Sequence, residues 1–244
     1  MSYKFVKERF TLIDRSDGTK HILVPEPKCQ ICFKPIEIKY KGWGRCWDCY
    51  NDPHHLGVLR AIATTLYVPS TNFKHNQEIF SLKETGEFAD QFAEVLVILM
   101  VSNDVDVPKY SRVIPIPPTS TSRADVAISN HVAGPYALAK SLSKLIGVAK
   151  YCDCLHWKEP VQSQKSLKAA DRLKNVWDKM RCSVSLTGES VILVDDILTS
   201  GNTLKEANRE IRSVGAVGGI ALVAARDSTA DDLVYVGALT KNET

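Results

Sequence analysis

The segment at residues 190–203 constrains the fold more than any other part of the chain. It begins with a strand-like run that contains Val-Ile-Leu-Val, and it continues through Asp195 and Asp196 into a turn of Thr, Ser and Gly. The apolar positions after the turn have the spacing of one helical face and are Leu204, Ala207, Ile211 and Val214. A buried strand that passes through a short turn into a helix is typical of parallel α/β sheets, where ligands bind beyond the carboxyl ends of the strands.

Other strands and helices alternate along the chain in the same way. The hydrophobic patterns predict strands at 112–116, 148–155, 191–194 and 219–224, and helices at 86–101, 132–146 and 203–214. A polar stretch at 157–169 is predicted to be a long loop followed by another helix. We therefore predict an α/β fold with a mostly parallel sheet and helices on its faces over residues 56–244. Residues 1–55 are loop-rich and are predicted to form a separate small module.

The turn after the predicted strand is suited to binding a phosphate. The free backbone N–H groups at a helix start, together with the hydroxyls of Thr199, Ser200 and Thr203, form a cradle for an anion. Gly201 lets the backbone approach a ligand closely because it has no Cβ. The plainer interpretation is a strand that ends in a polar turn, with Thr199 or Ser200 as the helix N-cap.

The two adjacent carboxylates are not explained by that plainer interpretation. Asp195 and Asp196 would repel a phosphate unless they contact something else. Ribose hydroxyls are the natural partners, with Mg²⁺ bridging nearby oxygens. The segment thus predicts a site for a phosphorylated ribose.

The same segment resembles the signature of type I phosphoribosyltransferases, in which two acidic residues precede a Thr-Ser/Thr-Gly-x-Thr loop. The resemblance implies binding of 5-phosphoribosyl-1-pyrophosphate (PRPP) with Mg²⁺ and transfer of the phosphoribosyl group to an acceptor, with release of pyrophosphate. The purine-salvage enzymes of that family place an acidic base where this chain has Thr199, so the resemblance identifies no general base here. The implied PRPP-binding residues are Asp195, Asp196, Ile197, Leu198, Thr199, Ser200, Gly201, Asn202 and Thr203.

Four cysteines in the first 55 residues form two Cys-x-x-Cys pairs with thirteen residues between them. Each pair can present two sulfurs to one ion, and two pairs complete a tetrahedral shell with no open position, which predicts a structural zinc site. The alternatives are two redox pairs or free thiols. The prolines and glycines around the pairs indicate turns, whereas redox pairs usually lie at a strand-to-helix junction. The predicted zinc ligands are Cys29, Cys32, Cys46 and Cys49.

Several further stretches are similar to ComF-like proteins, a branch of that family associated with competence and DNA uptake, which pairs a four-cysteine module with a phosphoribosyltransferase-like domain. These stretches lie at residues 82–86, 114–117, 164–167 and 172–175. The resemblance implies a pyrophosphate loop that includes Pro117, Pro118, Thr119, Ser120 and Arg123. It also implies a closing loop that includes Lys158, Gln164, Lys165 and Arg172. After Pro117 the chain departs from the basic run and Arg-Gly-Phe-Asn stretch that is usual in this branch.

Two rival functions stay open beside the enzyme. One is a non-catalytic protein that keeps the ligand cradle and handles single-stranded DNA, and the other is a regulator that senses the ribosyl donor. Residues 139–181 carry ten Lys and Arg against four Asp and Glu. That excess suits a phosphate-rich ligand or single-stranded nucleic acid, and it equally suits a solvated helix face.

Composition places the protein among soluble cytoplasmic chains. Its 244 residues are 44% hydrophobic, and no apolar run is long enough to span a membrane. The N-terminus lacks the apolar core of a signal peptide, and an odd count of seven cysteines argues against a disulfide scaffold. Cys152, Cys154 and Cys182 are predicted to pack as small apolar residues, and Trp43 and Trp47 to form the core of the small module.

Overall fold

The computed structural model describes residues 3–6, 11–14, 20–24, 26–36, 42–52, 56–58, 60–69, 74–118, 134–161 and 169–229. The strands of this part of the chain are β1 (Tyr3–Val6), β2 (Thr11–Asp14), β3 (Lys20–Ile22), β4 (Ala61–Tyr67), β5 (Tyr110–Pro115), β6 (Lys150–Tyr151), β7 (Leu155–Trp157), β8 (Met180–Cys182), β9 (Ser190–Leu198) and β10 (Gly218–Asp227). The helices are α1 (Trp47–Asn51), α2 (Lys74–Thr85), α3 (Ala89–Ser102), α4 (Gly134–Ile146), α5 (Ala169–Val176) and α6 (Asn202–Ser213).

A five-stranded sheet with the order β4-β10-β9-β5-β6 forms the centre of the fold. Each neighbouring pair in it is parallel. The apolar run of β9 is completely buried, as expected for a strand that has neighbours on both edges and is covered on both faces. The predicted mostly parallel α/β fold is therefore confirmed.

Helices α3 and α4 pack against each other and against the sheet, whereas α6 packs on β10 and on β8. The remaining strands form two small antiparallel sheets, β1-β2-β3 and the ribbon β7-β8. Among the helices of the described residues, none is both long and apolar enough to cross a membrane.

The elements depart from the sequence prediction in several places, three of which concern the parallel sheet and the helices beside it. β4 and α2 were not predicted, because β4 is rich in Ala and Thr and α2 is largely polar, so neither shows a strong hydrophobic period. Helix α3 begins three residues later than predicted, since Gly86 and Phe88 adopt left-handed backbone angles that separate it from α2. The predicted strand at 148–155 is split between β6 and β7, which belong to different sheets.

The four-cysteine region packs directly on β4. Ala61 N–H donates to the Ile31 carbonyl at 2.7 Å, and Val24 N–H donates to the Thr64 carbonyl at 3.3 Å. Phe33 is buried, and the guanidinium of Arg60 lies 5.8 Å from its ring centroid. A domain boundary near residue 55 stays a prediction, but the region before it shares its core with the sheet.

Candidate functional site

Three central strands of the parallel sheet end at one edge. β5 leads to Pro117, β9 carries Asp195 and Asp196 near its end, and β10 carries Arg226 near its end. Since the carboxyl ends of parallel strands meet at the same edge, these residues belong to one region. We call this region the carboxyl edge, defined by Pro117, Pro118, residues 195–203 and Arg226.

The aspartate pair is held in place by its own backbone. Asp195 Oδ1 accepts the Asp196 N–H at 3.0 Å, and Asp196 Oδ1 accepts the Ile197 N–H at 2.6 Å. Burial, followed by the negative charge of Asp196, raises the pKa of Asp195 well above its usual range, and the positive charge of Lys83 on α2 opposes this effect. A hydrogen-bond donor or a cation bound beside the two carboxylates would stabilise the ionised form of Asp195.

The turn after β9 exposes two of its predicted phosphate-binding residues. Thr199 and Ser200 are exposed, whereas Gly201 is buried. The N-cap of α6 is Gly201, with no side-chain cap hydrogen bond, so the interpretation of Thr199 or Ser200 as the N-cap is wrong. The first N–H groups of α6 are thus left without a side-chain cap and suit an anion.

Gly201 is required for a reason that the sequence did not indicate. Its φ is +79°, in the left-handed region, and a Cβ built on it would lie 2.3 Å from Cδ2 of Leu56. Leu56 is 1% exposed, so it has little room to move. The glycine therefore lets the turn pack against the segment that follows the four-cysteine region, rather than only leaving space for a ligand.

Arg226 supports the turn from inside the protein. It is buried and donates from Nη1 to the carbonyl oxygens of Leu198 and Thr199, the second at 2.6 Å. Sequence analysis missed this residue, and only its place after the apolar run of β10 could have suggested it.

Trp157 on β7 contacts the start of the predicted pyrophosphate loop. Its Nε1–H donates to the Pro118 carbonyl at 2.9 Å and to the Pro117 carbonyl at 3.2 Å. Trp157 is 4% exposed, so the indole is fixed by packing as well. The other residues of that loop, Thr119, Ser120 and Arg123, lie outside the described residues.

The ribbon β7-β8 that carries Trp157 is attached to helix α6. Buried Glu206 accepts the Met180 N–H at 3.0 Å, and Glu210 accepts the Cys182 N–H at 2.8 Å. These two carboxylates bind the free edge of β8, so α6 also positions the ribbon. We call residues 199–201, the turn before α6 that is predicted to bind a phosphate, the phosphate turn.

The predicted closing-loop residues are only partly described. Lys158 is exposed and forms an ion pair with Asp178, with Nζ 3.0 Å from Oδ1. Arg172 lies in α5, and Gln164 and Lys165 lie outside the described residues. Part of the basic stretch is neutralised in the same area, since Lys179 pairs with Glu159 at 3.1 Å.

The four cysteines of the two pairs converge in a second site. Their sulfur atoms all lie within 4.8 Å of one another, and each residue is buried. The sulfurs of Cys32 and Cys46 are 3.6 Å apart, close to the roughly 3.8 Å that two ligands of a tetrahedral zinc with 2.3 Å bonds require. A hydrogen bond from Cys32, with others from Cys46 and Cys49, holds the pKa of Cys29 far below its usual value. The cluster favours a thiolate and fits a metal such as zinc.

The sequence predictions for the three other cysteines, and for the two tryptophans near the cluster, are only partly confirmed. Cys154 is buried as predicted, whereas Cys152 and Cys182 are half-buried. Trp43 and Trp47 are 50% and 65% exposed, so the prediction that they form a core is wrong. They flank Tyr50, with ring centroids 5.3 and 6.0 Å from the tyrosine ring.

A comparison with known protein families matches part of the chain. Residues 137–243, less than half of the chain, match the model of the family described as the phosphoribosyl transferase domain. A purine phosphoribosyltransferase from Pyrococcus horikoshii Ot3 is similar at 17% identity over 66% of this chain and 87% of that one, with a TM-score of 0.30 that is too low to support an argument. No curated protein matches the sequence. The family match includes β9, the phosphate turn and α6.

Proposed function

We propose that the protein binds PRPP with Mg²⁺ at the carboxyl edge and transfers the phosphoribosyl group to an acceptor, with release of pyrophosphate. The observation that carries the proposal is the aspartate pair followed by an uncapped helix start, inside the residues that match the phosphoribosyl transferase domain. A carboxylate pair suits ribose hydroxyls, and free N–H groups at a helix start suit the 5-phosphate.

In this proposal the protein contributes positioning and charge. Asp195 and Asp196 accept hydrogen bonds from the ribose hydroxyls, and residues 199–203 hold the 5-phosphate. Loss of pyrophosphate leaves positive charge on the ribose, which the nearby carboxylates stabilise. Mg²⁺, when bound, neutralises the pyrophosphate. Since Thr199 replaces the acidic base of purine-salvage enzymes, the acceptor loses its proton to another group or needs no base.

The four-cysteine cluster has a structural role in the same proposal. Four buried sulfurs leave no open coordination position, so a bound zinc would stabilise this region and take no part in the reaction. The cluster is linked to the site because Leu56 packs under Gly201 and Asp52 lies 3.8 Å from Lys205 on α6.

Calorimetry with PRPP, with and without Mg²⁺, tests the proposal. Each of Asp195→Asn and Asp196→Asn should weaken binding about tenfold or more, because a hydrogen bond to a charged group contributes about 1.5–3 kcal/mol. Asp104→Asn, at an exposed turn after α3, is the matched control and should bind as the wild type does. Wild-type protein that gives no binding heat, or aspartate variants that bind normally, would exclude the proposed site. Pyrophosphate release in a screen of amines, bases and nucleic-acid precursors would then identify the acceptor.

A second candidate function, single-stranded DNA handling, is favoured by the exposed aromatic group of Trp43, Trp47 and Tyr50. Exposed rings in contact with one another can stack with successive bases, and such binding is sensitive to salt. Fluorescence titration with a single-stranded oligonucleotide should show weaker binding as salt rises. Trp47→Ala, and charge reversal at Lys165 and Lys168, should reduce binding, whereas Trp177→Ala should not. No binding at low salt would exclude this function.

A further inference from the structure

The carbonyl oxygens at the end of β9 are fixed by a buried arginine from the next strand. Arg226 is 7% exposed and pairs in register with Leu198 on β9 and with Leu66 on β4. One nitrogen, Nη1, donates to both the Leu198 and the Thr199 carbonyls. Two consecutive peptide carbonyls therefore point toward the same guanidinium.

That arrangement sets the direction of two N–H groups in the phosphate turn. In a trans peptide the C=O of one residue and the N–H of the next point in opposite directions. Because the Leu198 and Thr199 carbonyls face Arg226, the N–H groups of Thr199 and Ser200 face away from it. Both residues are exposed, and neither N–H has a hydrogen-bond partner within the described part of the chain. Two donors are thus held ready on the side of the turn opposite the arginine.

The charge of Arg226 also lacks compensation. Within the described ranges no carboxylate lies within ion-pair distance of its guanidinium, and its buried Nε has no hydrogen-bond partner. A buried charge with no counter-charge is costly, since here two carbonyl oxygens replace only part of its lost hydration. An anion bound at the turn would reduce that cost.

We infer that Arg226 is a positioning residue for the 5-phosphate of the ligand. It turns the N–H groups of Thr199 and Ser200 toward the phosphate and places a buried positive charge behind them. This inference rests on the proposed function and adds to it a residue from outside the signature segment. It also assigns Arg226 to one end of the ligand, because the pyrophosphate end is predicted to bind at the loop that begins with Pro117 and Pro118.

Two partial ligands, which each carry only one end of PRPP, allow the binding of the two ends to be measured separately. Ribose 5-phosphate carries only the 5-phosphate, and pyrophosphate with Mg²⁺ carries only the other end. Arg226→Met keeps a long apolar side chain but removes the charge and the donors. We expect it to weaken ribose 5-phosphate binding about tenfold or more in calorimetry, the effect of losing hydrogen bonds that involve a charged group. Binding of pyrophosphate with Mg²⁺ should stay within about twofold of wild type, a ratio that corresponds to about 0.4 kcal/mol.

Conservative and control variants distinguish positioning from general support of the fold. Arg226→Lys keeps the charge and should restore part of the ribose 5-phosphate affinity. Arg60, just before the start of β4, also donates to a backbone carbonyl, that of Asn103, at 3.0 Å. Arg60→Met is therefore the matched control. It should leave both affinities unchanged. In ¹⁵N NMR spectra, ribose 5-phosphate should shift the Thr199 and Ser200 amide signals in wild type and in Arg226→Lys, and much less in Arg226→Met.

The outcomes separate this inference from the proposed function. If wild type binds neither partial ligand nor PRPP, the proposed function fails. If wild type binds ribose 5-phosphate and Arg226→Met binds it equally well, only the inference fails. Equal loss of both partial ligands, with no restoration in Arg226→Lys, also overturns it, because the arginine would then serve the fold as a whole. If Arg226→Met does not fold, the affinity and amide shifts of Arg226→Lys decide between these outcomes.

Discussion

The four-cysteine cluster and the carboxyl edge differ in how their polar groups are paired within the protein. In the cluster, four buried sulfurs face one another, and one ion would satisfy all of them. At the carboxyl edge, Asp195 has a raised pKa, Arg226 lacks a counter-charge among the described residues, and the helix start lacks a side-chain cap. The cluster lacks only an ion that would hold its four sulfurs together, whereas in our proposal the polar groups of the edge are satisfied when the substrate binds. We therefore expect changes in the cluster to cost stability, and some changes at the edge to increase it.

The two regions are nevertheless in contact. The segment that connects them carries Leu56, whose side chain fills the space beside Gly201. Gly57 lies close to α6, the helix that begins after Gly201, because a Cβ on Gly57 would lie 3.2 Å from Cα of Lys205. Substitutions that unfold the cluster should therefore also disturb the phosphate turn. Substitutions of Asp195 or Asp196 should leave the cluster unchanged.

The largest effect is expected from Cys46→Ser. Removing one of four ligands should release the metal, and structural zinc sites contribute on the order of 10 kcal/mol to folding of their surroundings. Elemental analysis should find about one zinc per chain in wild type and none in the variant. Hydrogen exchange should rise across residues 29–36 and 42–52. Cys182→Ser, which changes a half-buried cysteine outside the cluster, should keep its metal. Wild-type protein purified without chelators and found free of metal would contradict the prediction.

The next largest effect is expected from Gly201→Ala. The left-handed φ disfavours any Cβ by about 1–2 kcal/mol, and the contact with Leu56 should add about 1–3 kcal/mol of overpacking. Gly147→Ala is the matched control, since its φ is +74° and nothing lies within 4 Å of its Cβ position. Thermal unfolding should therefore show a larger loss for Gly201→Ala. The losses from Gly201→Ala and Leu56→Ala should be less than additive in the double variant, because the new Cβ then no longer meets the Leu56 side chain. Equal losses at the two glycines would show that Leu56 moves aside freely.

This pair of glycines also shows what the sequence could not predict. The cysteine pairs and the aspartate-to-threonine segment were found because their geometry is local: two residues between thiols, or a strand followed by a turn. Leu56, Trp157 and Arg226 were missed because each acts on a residue far away in sequence. Arg226 reaches Leu198 only through the register of β10 with β9, and nothing in either segment alone specifies that register. Strand β4 was missed for a similar reason, since its small residues are placed by neighbouring elements.

A smaller effect, with opposite signs for stability and binding, is expected from Asp195→Asn. Burial raises the pKa of Asp195, so the folded state disfavours the carboxylate, and stability falls as pH rises through the folded-state pKa. Asn removes this penalty. The variant should melt at a higher temperature at neutral pH, although it binds PRPP about tenfold less tightly.

Asp178 gives the matched comparison for that change. Its pKa is lowered, first by the hydrogen bond from Lys158, so its contribution to stability is present at neutral pH and is lost as pH falls through the lowered pKa. Asp178→Asn should therefore lower the melting temperature slightly at neutral pH, in the direction opposite to Asp195→Asn. Melting curves from about pH 2 to 8 cover both transitions. If Asp195→Asn is less stable than wild type at neutral pH, the aspartate supports the fold rather than the ligand.

The smallest effect is expected from Trp157→Phe, which tests whether the ribbon β7-β8 positions the entrance to the pyrophosphate loop. Phenylalanine keeps most of the buried ring but removes the N–H that the Pro117 and Pro118 carbonyls share. A lost hydrogen bond of about 0.5–1.5 kcal/mol corresponds to PRPP affinity lower by about 2- to 10-fold. Ribose 5-phosphate should bind as in wild type, because it lacks the pyrophosphate that this loop is predicted to contact. Trp177→Phe changes a tryptophan that packs with Arg209 and is 45% exposed, and it should alter neither affinity. Weaker binding of ribose 5-phosphate in Trp157→Phe would mean that the ribbon supports the whole carboxyl edge, and the division of the ligand between two loops would have to be abandoned.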